Sequence, residues 1–190
     1  MELQGRLLSS FVVFLTSFLF LSCQKKVLPV FDADLITLRA KKGEYWFEKQ
    51  PFSGALLKLE PSNKDTVYIQ SYRKGKKDGI WKKFYPQNHL KESRVFKMGS
   101  KEGTHIGYYL NGQMHYNFQL KNDVYNGFKK EWLPSGDLIV FQNYINGYEQ
   151  GPQQVWYPNG EVKNNYIVRN GRRYGLLGTK NCVNVKDSIF

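Results

Sequence analysis

Cysteine, histidine and methionine are all scarce in this chain, with two, three and three copies in 190 residues. Cys23 and Cys182 cannot make a disulfide framework, and neither has a neighbour at the spacing of a structural zinc site. His105 and His115 are expected to face each other across Leu110-Asn111-Gly112. Two ligands without a third do not make a metal site, and His89 lies apart, so no metal is expected. The chain has no Gly-x-Ser-x-Gly elbow, no phosphate loop ending in Gly-Lys-Ser/Thr and no His-Glu-x-x-His. A non-catalytic protein with no cofactor is the expectation. Acids are few as well: 16 Asp and Glu stand against 28 Lys and Arg, a formal net charge of +12. No 3.6-residue apolar period persists across residues 54–175, which argues against an α-helical repeat.

The one long apolar run, residues 7–21, is shorter than the roughly 20 residues that cross a bilayer core. It follows Arg6 and stops before Gln24-Lys25-Lys26, the pattern of a cleaved export signal. Phe20-Leu21-Ser22-Cys23 resembles a bacterial lipobox, which implies cleavage before Cys23 and acylation of that cysteine. Each buried methylene contributes about 0.8 kcal/mol, so two or three acyl chains anchor a domain durably. Residues 1–22 are therefore expected to be a lipoprotein signal and 23–53 an anchor linker with an N-terminal cap. The expected address is the bacterial cell envelope, with the outer membrane as the site of the anchor. The exported part keeps its +12. Away from chromosomal DNA, its acidic partners would be lipids, envelope polymers or proteins, and no nucleic acid is expected.

A glycine recurs at positions 54, 79, 103, 127, 151 and 175, a step of 24 residues with one insertion in the first interval. Five residues after the glycines at 79, 103, 127 and 151 stand Phe84, Tyr108, Trp132 and Trp156, and six after them Tyr85, Tyr109, Leu133 and Tyr157; the first unit has Leu59 and Glu60 there. Turn sequences come next: Pro-Ser-Asn at 61–63, Pro-Gln-Asn at 86–88, Leu-Asn-Gly at 110–112, Pro-Ser-Gly at 134–136 and Pro-Asn-Gly at 158–160. Proline presets φ early in such a turn, and Gly or Asn takes the left-handed conformation at its end. Apolar residues at +11 and +17 mark a returning strand, and a second turn falls near +20. Each unit thus reads as one β-hairpin, and residues 54–175 as an all-β antiparallel meander of about five hairpins in one elongated sheet. Residues 176–190 leave the pattern and are expected to form a C-terminal cap or tail. Cys182 within that tail is a possible reactive thiol.

The pattern Gly-x4-aromatic-aromatic-Pro-Asn-Gly, followed by a strand and Asn-Gly-x3-Gly, resembles the MORN-repeat family, and within it the YwqK-type variant labelled an antitoxin. The units beginning at Gly127 and Gly151 carry the match best, and the resemblance covers residues 54–175. It implies a hairpin-repeat fold and a scaffold that meets proteins or membranes. The antitoxin label implies, as the alternative function, an immunity-like protein that neutralises a partner toxin.

Neighbouring strand residues point to opposite faces, so the +5 and +6 columns cannot share a side. Ile80, Ile106 and Phe128 accompany the +5 column, which assigns +5 to the buried face. Trp81, Tyr85, Tyr109 and Tyr157, with Lys83 and Lys129, would then form an exposed aromatic and basic strip suited to a protein, to stacking on sugars or to meeting anionic groups. The other expectation for these ladders is cross-strand packing.

Overall fold

The computed structural model describes residues 28–178. The expected signal segment, Cys23, Cys182 and residues 179–190 lie outside the described residues. Gly54–Leu59 pairs with Thr66–Arg73, Gly79–Phe84 with Leu90–Lys97, and Gly103–Tyr108 with Met114–Lys121. Val124–Trp132 then pairs with Leu138–Ile145 and Tyr148–Trp156 with Val162–Arg169, before the last strand, Arg172–Leu176. These five hairpins, units 1 to 5, lie side by side in chain order within a 14-stranded sheet that stays open among the described residues. The expected antiparallel meander is the fold. At the strand spacing of a β-sheet the stack extends about 50 Å.

Two kinds of turn make the two long edges. On the first-turn edge, Gly112 takes φ +83°, Gly136 +95° and Gly160 +85°. The Gly112 N–H donates to the Tyr109 carbonyl at 3.0 Å, and the Tyr109 N–H donates to the Gln113 carbonyl at 2.9 Å. On the second-turn edge both central residues have positive φ, as in Met98-Gly99, Asn122-Asp123 and Asn146-Gly147. Two-residue turns of this kind match the twist of the strands they join. In units 2 to 4 the residue before the unit's glycine ties this turn to the neighbouring unit. Asp78 accepts the Met98 N–H, Glu102 the Asn122 N–H and Asn126 the Asn146 N–H, each at 3.0 Å.

The ladder slips by one residue just before +5 in every unit. The extra residues on the returning strands are Val67, Lys91, His115, Ile139 and Lys163. Such bulges increase local twist and bend the strand.

The sequence assignment of the faces is overturned. Register places Trp81 opposite Arg94, His105 opposite Phe118, and Gln153 opposite Tyr166. The face carrying +2 and +4 therefore holds Leu56, Tyr72, Phe96, Leu120, Tyr166 and Val168, nearly all of the buried apolar residues. Ile80, taken from the sequence as core, sits on the other face and is 52% exposed. The expected opposition of His105 and His115 also fails: His105 pairs with Phe118, while His115 is the bulged residue of unit 3 and stacks on Tyr109 at 4.3 Å.

Before the repeats, Arg39–Lys41, Glu44–Phe47 and Gln50–Pro51 make a separate three-stranded sheet. Tyr45 and Phe47 from it, with Phe31, Ile36 and Leu38, pack on the buried cluster Phe52, Leu56 and Tyr72. Val30–Asp32 runs parallel to Gly54–Leu59 and opens the large sheet. Gly54 has no room for a side chain, since a Cβ there would meet the Phe31 ring at 2.6 Å.

Candidate functional site

The core of the +2 face is a file of rings running across the units. Phe52 meets Tyr72, Tyr72 meets Trp81, Trp81 meets Phe96 and Phe96 meets His105, with centroids 5.1–5.7 Å apart. The +2 residues of units 2, 3 and 5 share one task despite their different chemistry. Trp81 Nε1 donates to the Ser71 carbonyl at 2.7 Å, His105 Nε2 bonds the Val95 carbonyl at 2.8 Å, and Gln153 Nε2 donates to the Asn143 carbonyl at 2.7 Å. Each partner lies ten residues upstream. A carbonyl inside the sheet must find a donor, and a buried N–H side chain supplies it. This explains why His105 is 4% and Gln153 0% exposed. Burial pushes the His105 imidazole pKa down, with the Val95 hydrogen bond opposing and the Arg94 and Lys101 charges adding to the drop.

Unit 2 places a charged cluster on this face. Lys83 Nζ lies 3.0 Å from Glu92 Oε1, and Arg94 Nη2 lies 2.6 Å from Glu92 Oε2. Tyr116 Oη donates to the same Oε2 at 3.1 Å. Burial pushes the Glu92 carboxyl upward, but the Lys83 hydrogen bond and the Arg94 charge outweigh it and hold it below the usual carboxylate range. Lys77 lies above the Trp81 and Phe96 rings. Among the described residues no group of three or more His, Cys, Asp or Glu side chains comes together to hold a metal.

The six residues singled out from the sequence lie on one face but in three places. Trp81 and Lys83 line the cleft of unit 2. Lys129 lies two units along, 3.0 Å from Glu131 and above the Phe118 and Tyr125 rings. Tyr85 and Tyr109 stand at the first-turn edge and join units, Tyr85 Oη donating to the Tyr108 carbonyl at 3.2 Å and Tyr109 Oη to the Trp132 carbonyl at 2.8 Å. Tyr157 occupies the same column, and the bulged residues Lys91, His115 and Lys163 lie on the rings of Tyr85, Tyr109 and Tyr157. Sequence reasoning missed Glu92 and Arg94 because they sit on the returning strand. Their signal was charge at +13 and +15, where units 3 to 5 carry none.

A second charged feature follows the second-turn edge. Arg73, Lys97, Lys121 and Arg169 end the returning strands of four units and are exposed. Lys97, Lys121 and Arg169 make no ion pair among the described residues, whereas Arg73 pairs with Asp78 at 2.9 Å. Asp78, Glu102 and Asp123 also lie on this edge, where cations outnumber them, whereas acids outnumber cations among Glu60, Lys64, Asp65, Asp137 and Glu161 on the opposite edge.

No protein-family model matches the chain, and no curated protein matches it.

Proposed function

We propose that this protein is a non-catalytic, lipid-anchored scaffold of the bacterial envelope that rests on its second-turn edge and binds a protein or an anionic or glycan envelope partner. One observation carries this reading: the chain enters the sheet on the same edge where the unpaired cations recur. Val30 lies beside Ala55, and the Ala55 N–H donates to the Pro29 carbonyl at 2.8 Å, next to Gly54 at the start of unit 1. Only residues 24–27 separate Cys23 from Leu28, a reach of about 17 Å for an extended chain. An acyl group on Cys23 would therefore hold this edge close to the headgroups, where each Lys or Arg contributes about 1 kcal/mol on an anionic surface. The hairpin pattern shared with MORN-type repeats supports the scaffold reading in the same sense.

The test is intact-mass analysis and membrane fractionation of the native protein beside Cys23→Ala. The wild type is expected to carry acyl mass and pellet with membranes, and the variant to lose both. In the acylated protein, Lys97→Glu with Lys121→Glu should increase extraction by salt without releasing the anchor. A wild type that stays soluble and unacylated overturns the reading and moves neutralisation of a toxin to first place.

A further inference from the structure

The cleft of unit 2 has a volume of about 160 Å³; Lys77, Lys83 and Arg94 line it around one carboxylate, Glu92, and Lys82 borders it from a strand position whose side chain alternates to the other face. Both oxygens of Glu92 are already engaged, by Lys83, Arg94 and Tyr116. Glu92 thus fixes two cations and offsets one of the three charges. Lys77 supplies the third: its ammonium lies 4.6 Å from the Trp81 centroid and 5.3 Å from that of Phe96, and it makes no ion pair among the described residues. Burial, then the charges of Arg94, Lys101 and Lys83, push its pKa down. The cations of this cleft crowd one another with too few acids to balance them.

The fold does not need this arrangement. At the positions of Lys83, Glu92 and Arg94, unit 3 carries Gly107, Tyr116 and Phe118, unit 4 Glu131, Val140 and Gln142, and unit 5 Val155, Asn164 and Tyr166. Those units build the same ladder without a cation cluster. Drawing charges partly out of water is costly unless they are paired, and of units 2 to 5 only unit 2 gathers three cations around one acid. The cleft is also smaller than the roughly 300 Å³ at which pockets for whole small molecules begin, a size that suits a single anionic group.

We propose that this cleft binds a phosphate group held by Lys77, Lys83 and Arg94, with Glu92 as the positioning residue. A phosphate monoester carries about −1.5 to −2 charges at pH 7, which matches the surplus of the cluster. The inference goes beyond the scaffold reading and is independent of the anchor. The full chain in a non-ionic detergent would be titrated at constant ionic strength with inorganic phosphate, glycerol phosphate and acetate, following amide and indole N–H signals by NMR. Phosphate is expected to give saturable shifts at the Trp81 indole and along residues 81–83 and 92–94, and acetate none that saturate. Tighter binding of glycerol phosphate would point to an esterified source, and equal binding to free phosphate. Lys77→Gln breaks no ion pair and should weaken phosphate binding about tenfold, while Lys163→Gln, on the first-turn edge of unit 5, should leave it unchanged. Shifts spread without saturation over the surface lysines, equal saturation by acetate, or unaltered affinity in Lys77→Gln would overturn the proposal.

Discussion

Met98 holds φ at +48° in a turn position where Asn122, Asn146 and Asn170 stand in later units. A left-handed conformation suits Asn, whose short polar side chain tolerates it, and strains Met. The Met98 side chain is 42% exposed, so little packing is lost by changing it. Met98→Asn is expected to stabilise the protein by about 0.5–1 kcal/mol, measured as a higher urea midpoint with an unchanged slope. His105 gives a pH dependence of known sign. Its folded pKa is lowered from 6.5 by burial, so below about pH 6.5 the unfolded chain takes up a proton that the folded chain resists. Stability contributed by His105 is therefore present above that pH and is lost as pH falls toward the folded value. His105→Gln keeps an N–H donor, as Gln153 does in unit 5. The loss of melting temperature between pH 7 and pH 5 should be smaller in this variant than in the wild type.

At the scale of the hairpin, the tyrosines at +6 are joints between units. Tyr109→Phe keeps the stacking on His115 but removes the 2.8 Å bond to the Trp132 carbonyl, at a cost of about 1 kcal/mol. Equal urea midpoints for the variant and wild type would instead point to a surface role for Tyr109. The hairpins were legible because their turns make demands of the backbone that few residues meet. Pro, Asn and Gly at +7 to +9, and the glycine every 24 residues, announce positive φ and close approach directly. The faces were not legible. In the repeats the apolar Ile80 stands outside while His105 and Gln153 go inside, because the carbonyls of Val95 and Asn143 need buried donors. Hydrophobicity alone reads that pattern backwards. The strands within residues 30–51 were missed too, since that stretch lacks the repeat's turn sequence. The candidate cleft was half visible: Trp81 and Lys83 stand on one strand, but Glu92 and Arg94 reach them only through the register of the next.

Across the whole molecule, stability comes from stacking one unit on the next, as in other repeat architectures. Removing residues 127–150 joins Asn126 to Gly151 and preserves the glycine step. The shortened chain is expected to fold cooperatively, with a denaturant slope lower by roughly one-sixth in proportion to the surface lost. Circular dichroism and urea titration would check this; loss of the cooperative transition would show that unit 4 is indispensable.

The meander also has a kinetic consequence. In the backbone ladder each strand bonds to a strand close by in sequence, and the bond from the Tyr45 N–H to the Gly75 carbonyl is among the longest spans. Folding slows when distant segments must meet before any contact forms, and this topology asks for few such meetings. Order can therefore spread from the first hairpin to the last as the chain becomes free, each completed edge serving as template for the strand that follows.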